Sequence, residues 1–179
     1  MIIWINGAFG SGKSTAANRL HKSLTGSFIY DPEEAGFFIR NNTPKSFSMG
    51  DFQDIPLWRE INYKMLTALN ESHDGVIIVP MTLINPLYYE EIIGRLTAEG
   101  VDIRHFILYL DKSTLINRLR KRAWGFMRKE KFALDSIDRC IHSFNNHIME
   151  SKIMAYSKSA DDIALEIISL CKLRQSSIE

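Results

Sequence analysis

The sequence predicts an α/β fold, a parallel sheet with helices on both faces, and three observations carry that prediction. Short β-prone runs alternate with longer segments of helical spacing along the whole chain. Residues 76–79 form a continuous apolar run, as expected of a strand buried on both faces. The first strand leads straight into a glycine-rich loop that opens a helix. There Gly7, Ala8, Phe9, Gly10, Ser11, Gly12, Lys13 and Ser14 match the phosphate-binding pattern G-x-x-x-x-G-K-[ST].

The elements follow in order. Residues 2–5 (Ile-Ile-Trp-Ile) read as the first strand. Residues 13–24 read as a helix, with Ala16, Ala17, Leu20 and Leu24 on one side and Gly26 just past its end. A second short strand at 27–30 is ended by Asp31-Pro32, and a short helix follows over 32–40. Residues 41–49 are polar, with Pro44 and Gly50 near, and read as a loop. Leu57, Trp58, Ile61, Met65, Leu66 and Leu69 give helical spacing over 54–70. After a turn at 73–75 comes the strand at 76–79. Asn85-Pro86 then suits an N-cap and first helical residue for a helix ending at Glu99, with Gly100 after it. Residues 103–110 read as a strand, 112–122 as a very basic helix, 123–134 as irregular and 135–149 as a helix. The last strand is expected at 153–156 and a closing helix at 159–173. Together these make a three-layer P-loop NTPase fold. It has a five-stranded parallel sheet, and the chain reads as one domain over residues 1–179.

Bulk properties narrow the class. At 179 residues and 45% hydrophobic content the chain suits one domain with a full core. A net charge of +1 makes no general electrostatic call to nucleic acid or anionic membrane, so anion binding must come from a local site. No apolar run approaches a membrane span. Cys140 and Cys171 lack metal-ligand spacing and read as reduced thiols of a cytoplasmic protein. A cleaved leader would remove the first strand and its loop, so none is expected. His21, His73, His105, His142 and His147 form no ligand pattern.

The chemistry of the loop follows from its residue types. Glycines let the main chain approach phosphate oxygens, and successive N–H groups converge there with the positive end of the next helix behind them. Residues Gly7 to Thr15 are thus the expected nucleotide site. Lys13 supplies a cation for the β- and γ-phosphates, and Ser14 a hydroxyl ligand for Mg²⁺. Ligands of such sheets bind at the carboxyl ends of the strands, which directs attention to Asp31, Pro80-Met81-Thr82 and Asp111.

Asp31 suits two roles: accepting a substrate proton or holding a magnesium-bound water, and capping the helix that begins at Pro32. Arg118 and Arg122 share a helix face, which suits adenine stacking and phosphate clamping, and equally a solvated basic helix. Arg139 either returns to the same phosphates or is an exposed helix arginine. Between the second and third strands, Arg40, Asp51, Trp58 and Arg59 interleave charge with aromatic surface, as a polar organic substrate with an apolar part requires. Trp58 also fits a core position, and Arg40 and Asp51 plain surface. No acid directly follows the third strand, so the usual Walker B aspartate is not evident. Thr82 offers a hydroxyl there, and metal binding rests on Ser14, Asp31 and the nucleotide.

The strings MIIWINGAFGSGKST, YDPEEAGF, DFQDIPLWR, VIIVPMT, EIIGRLTAEG, LINRLRKRA and IDRC resemble the TmrB family of ATP-binding tunicamycin-resistance proteins. The resemblance spans nearly the whole chain and is weakest over 124–134 and the last twenty or so residues. DFQ..PLWR and VPMT are specific beyond a generic P-loop. More widely the organisation is similar to small P-loop kinases of the shikimate, adenylate and chloramphenicol kinase type. That resemblance implies that Arg118 stacks on adenine, that Arg122 contacts phosphates as a catalytic group beside Lys13 and Asp31, and that residues 123–134 form a lid. The family resemblance implies ATP and Mg²⁺ as cofactors. It also implies protection against tunicamycin, a uridine-containing nucleoside antibiotic with a fatty acyl tail, and association with the membrane surface. Two functions are open: a small-molecule kinase acting on tunicamycin or a related nucleoside or nucleotide sugar, and an ATP-dependent protein that sequesters the drug without phosphoryl transfer. The complete loop and the arginine pair favour the first, the missing Walker B acid the second.

Overall fold

The computed structural model describes residues 1–47, 50–122 and 127–173; of these, the side chains of 122 and 127–133 are not described. Five parallel strands form one sheet in the order β2-β3-β1-β4-β5: β1 Ile2–Asn6, β2 Phe28–Ile29, β3 Ile77–Pro80, β4 Ile103–Tyr109 and β5 Ser151–Met154. The glycine-loop strand β1 therefore lies at the centre, between β3 and β4. A crevice opens at its carboxyl end because the chain departs to both sides.

Side chains alternate along a strand, so β1 feeds two separate cores. Ile3 and Ile5 face one layer, where α1 Lys13–Ser23 packs on α8 Ala160–Leu170 through Ala16, Ala17, Leu20, Ile163, Ala164, Ile167 and Ile168. Ile2 and Trp4 face the other, with Trp58 and Leu66 of α3 Pro56–Ser72, and Ile92, Ile93 and Leu96. All five residues of β1 are buried, which holds the loop after it on a fixed platform. Trp4 fastens that platform sideways, its Nε1 donating to the Met81 carbonyl at 3.1 Å.

Several element boundaries differ from the sequence expectation, each for a local reason. Helix α2, Pro32–Asn42, runs through residues assigned to a loop, because Asn42 and Thr43 bond back to the carbonyls of Phe38 and Ile39. Two 3₁₀ turns follow, Lys45–Phe47 and Phe52–Asp54. The helix expected from Pro86 to Glu99 is α4 Pro86–Tyr89, a π turn Glu90–Gly94 and α5 Arg95–Ala98. Helix α6, Lys112–Arg122, matches. Residues 123–134, expected to be irregular, are helical from residue 127, since α7 spans Met127–Asn146. Its first eight residues are mostly good helix formers. Residues 123–126 of the expected lid lie outside the described residues. Strand β5 starts two residues earlier than expected. Ser159 closes a capping box with Asp162 at the start of α8.

Candidate nucleotide and acceptor site

The loop after β1 has the conformation its glycines allow. Gly7 has φ 148° and Gly12 φ 101°. A Cβ on Gly7 would stand 2.6 Å from Ser11 Oγ and 2.9 Å from the Leu108 carbonyl, so the loop closes only around glycine there. Asn6, fully buried, is the hinge pin. Its Oδ1 accepts from the N–H groups of Gly7 (2.8 Å) and Leu83 (3.0 Å), while its Nδ2 donates to the Leu83 carbonyl (2.7 Å). Sequence reasoning passed over this residue. The available signal was a polar side chain ending an otherwise apolar strand.

Lys13 folds back over the loop, Nζ donating to the carbonyls of Gly7 at 3.0 Å and Ala8 at 3.2 Å, and lies 5.6 Å from the Phe9 ring centroid. Gly10 and Gly12 also have positive φ. Gly12 is the N-cap of α1, and Ser14 and Thr15 are exposed in its first turn. Ser11 Oγ is buried with no hydrogen-bond partner among the described residues. An inward-facing orphan hydroxyl and a helix N-terminus in one loop fit an anion. Among the described residues no cluster of three or more His, Cys, Asp or Glu is arranged to hold a metal ion. Arg118 reaches the loop from α6. Its Nη1 donates to the Ser11 carbonyl at 3.2 Å and its Nη2 to the Ala155 carbonyl, beyond β5, at 3.3 Å. The side chain of Arg122 lies outside the described residues.

Beside the loop lies a cavity of about 570 Å³. Phe9 and Thr82 line it on the loop side, Asp51, Gln53, Asp54 and Tyr88 on the second, and Arg139, Cys140, His142 and His147 of the α7 region on the third. Cavity and loop are bonded to each other: the Thr82 hydroxyl donates to the Gly7 carbonyl at 2.8 Å. Their electrostatics also join. Burial raises the Cys140 thiol to about 11, and the positive charges of Lys13 and Arg139 both act against that rise.

The second wall is held from behind by Arg59. This residue is 7% exposed. It pairs with Glu91, donates to the Gln53 carbonyl at 2.6 Å and lies 4.3 Å over the Tyr88 ring. Gln53 Nε2 donates to the Thr82 carbonyl at 3.2 Å, and the Tyr88 hydroxyl to Asp54 Oδ1 at 2.8 Å. Asp51 caps the Phe52–Asp54 turn, its Oδ1 accepting from the Gln53 N–H at 3.0 Å. Burial first, then Asp54, raise the Asp51 carboxyl above its ordinary range, while the Gln53 bond and Arg139 pull the other way.

Four expected site residues are placed elsewhere or act indirectly. Trp58 is fully buried, with Nε1 donating to the Pro32 carbonyl at 2.9 Å and its ring 5.4 Å from Phe52. It is a core residue, and a ligand cannot touch it. Arg59 acts through the backbone it holds. Arg40 is exposed, over the Phe37 ring at 6.0 Å. Asp31 is exposed and caps α2, its Oδ1 accepting from the Glu33 N–H at 3.0 Å. None of these four lines the cavity. Asp111 likewise caps α6, and its bonds from Ser113 and Thr114 lower its carboxyl to about 2. Asp51, Thr82 and Arg139 are brought together.

A central-strand glycine loop, a lysine folded over it and a five-stranded parallel sheet define an α/β P-loop fold of the kinase-like kind. Residues 2–145 match the sequence profile of the AAA domain family, and the chain belongs to it. Among solved structures it is similar to the Deinococcus radiodurans tunicamycin resistance protein, at TM-score 0.80 and 24% identity, covering 99% of each chain. It is also similar to shikimate kinase from Bacteroides thetaiotaomicron, at TM-score 0.62 and 17% identity over 97% of this chain and 99% of that one. Deoxyadenosine kinase from M. mycoides matches at TM-score 0.57 and 18% identity over 97% and 100%. At these identities the likeness is one of fold. No curated protein matches the sequence.

Proposed function

We propose that the protein is a small-molecule kinase, which binds ATP on residues Gly7–Thr15 and transfers the γ-phosphoryl group to a hydroxyl of a molecule held in the adjoining cavity. The observation that carries this reading is the shared wall. Thr82 and Phe9 belong to the cavity, and Thr82 is bonded to Gly7 of the loop, so donor and acceptor subsites meet at one edge. The acceptor proposed is tunicamycin or a related nucleoside or nucleotide sugar, in keeping with the resistance protein of matching fold.

The loop N–H groups and Lys13 hold the β- and γ-phosphates and offset charge developing on the transferring group. Ser14 would hold Mg²⁺ together with the nucleotide, and the ion would supply positive charge against that of the phosphates. Arg118, already on the loop backbone, supports the nucleotide base, and Arg122 is assigned to the phosphates. Arg139 orients the acceptor from the far wall. No helix among the described residues is long and apolar enough to cross a membrane.

The test is mass spectrometry of tunicamycin incubated with ATP, Mg²⁺ and protein. A phosphorylated drug is expected with the parent protein and not with a Lys13 variant. Its absence refutes the kinase reading. A second reading, ATP-dependent sequestration without transfer, is favoured by one observation. Strand β3 runs into Pro80-Met81-Thr82 instead of an acid, and the Thr82 hydroxyl is engaged with Gly7. Stoichiometric protection with unmodified drug would support it.

Arg118→Ala separates nucleotide from acceptor. Loss of a cation stacked on adenine is expected to weaken ATP about tenfold, or about 1.4 kcal/mol, with acceptor affinity unchanged, as measured by calorimetry. A fall in acceptor affinity alone contradicts the assignment.

A further inference from the structure

We infer that Asp51, not Asp31, accepts the proton of the acceptor hydroxyl, an inference that rests on the kinase reading. The chain carries carboxylates after β2, in the Phe52–Asp54 turn and on α7, and the cavity separates them. Asp31 stands outside it and is exposed; its Oδ1 caps α2, as Oδ1 of Asp51 caps the Phe52–Asp54 turn, so exposure and distance from the cavity set it apart. Asp51, Asp54 and Asp138 line it. Asp138 is paired with Lys112 at 2.7 Å, and Asp54 accepts the Tyr88 hydroxyl. Asp51 keeps one oxygen on the Gln53 N–H, and its second has no hydrogen-bond donor among the described residues.

The turn that presents Asp51 is fixed from two sides. Arg59 grips the Gln53 carbonyl, and the Gln53 side chain grips Thr82, itself bonded to Gly7. This chain of three bonds sets the carboxylate relative to the phosphate loop, the positioning a proton acceptor needs in a phosphoryl transfer. The groups that face it are Asp54 on its own turn and Arg139 from α7, with Tyr88, Asp138, His142 and His147 around the same cavity. Its partly buried site makes it a stronger base than an exposed aspartate.

In the step, the acceptor oxygen forms a bond to the γ-phosphorus while the bond from that phosphorus to the β,γ-bridging oxygen breaks, leaving ADP. The hydroxyl proton passes to Asp51 and from there to water, so one ATP and one alcohol give one phosphate ester, ADP and a proton.

The test measures phosphoryl transfer from ATP labelled on its γ-phosphate to tunicamycin across pH, for the parent protein, D51N, D31N and D51E. The parent rate is expected to fall at low pH with an apparent pKa above that of an ordinary aspartate, because only the ionised carboxylate accepts the proton. D51N is expected to lose about 100-fold or more in kcat, with ATP affinity, drug KM and melting temperature near those of the parent, and to lose the acidic limb. D31N, which keeps a capping side chain, is expected to retain both rate and limb. D51E is expected to recover the limb at a displaced pH. Parent-like transfer by D51N, loss of the limb in D31N, or a limb unmoved in D51E overturns the assignment of Asp51 alone. No transfer by the parent protein removes the kinase reading and this inference with it.

Discussion

Lys13→Ala is expected to abolish ATP-dependent function, lowering phosphoryl transfer at least about a hundredfold, on the scale of removing one preorganised charge-stabilising group. Lys13 Nζ rests on the carbonyls of Gly7 and Ala8, the two residues that open the loop. Under the proposed reading, a side-chain rotation carries that cation to the phosphate oxygens. Its loss leaves the loop backbone intact, because Asn6 and the Thr82 hydroxyl hold Gly7 independently. Binding and folding are therefore separable. Calorimetry is expected to show ATP affinity reduced severely, with a melting temperature close to the parent's. Unchanged nucleotide affinity would refute the loop's assignment as the ATP site.

The second large effect is one of stability. Trp58→Ala removes a fully buried indole that packs on Phe52 and bonds the Pro32 carbonyl. A cavity of that size costs about 3–5 kcal/mol, which for a chain of this length lowers Tm by roughly 6–20 °C. Trp58→Phe retains the packing and costs less, about 1–3 kcal/mol, because it leaves the Pro32 carbonyl without its donor. Thermal unfolding of the two variants checks the order. Were Trp58 a ligand contact, its truncation would weaken drug binding at unchanged Tm. The indole also supports the cavity from behind, since Phe52 belongs to the turn that Asp51 caps.

How far the sequence disclosed this arrangement depends on how local each signal was. The glycine loop was legible because its strand, its turn and its helix start are contiguous in the chain. The parallel strands were legible because short β-prone runs alternate with helical segments, although β5, Ser-Lys-Ile-Met, is only half apolar and its start was placed two residues late. Trp58 was ambiguous because helical spacing places it on a face without saying whether that face meets sheet or ligand; the packing of α3 on the sheet makes it core. Asp31 drew attention by ending a strand; one of its oxygens caps α2, and the side chain is exposed outside the cavity. Asp51 fitted plain surface as well as a substrate contact until Thr82, 29 positions from Gln53, tied its turn to the loop. Asn6 escaped notice because its three bonds run to the loop and to Leu83 across the sheet, 77 positions away. The start of α7 was read as irregular, though most of its first eight residues are good helix formers.

The central claim is that the loop and the cavity are the donor and acceptor halves of one site. A crystal structure with a non-hydrolysable ATP analogue, Mg²⁺ and tunicamycin tests it most directly. The expected result is a γ-phosphate between Lys13 and the loop N–H groups, the drug in the cavity lined by Asp51, Thr82 and Arg139, and one drug hydroxyl oxygen within about 3.5 Å of the γ-phosphorus. A drug molecule seated outside that cavity, or held there with every hydroxyl out of reach of the phosphate, would contradict it.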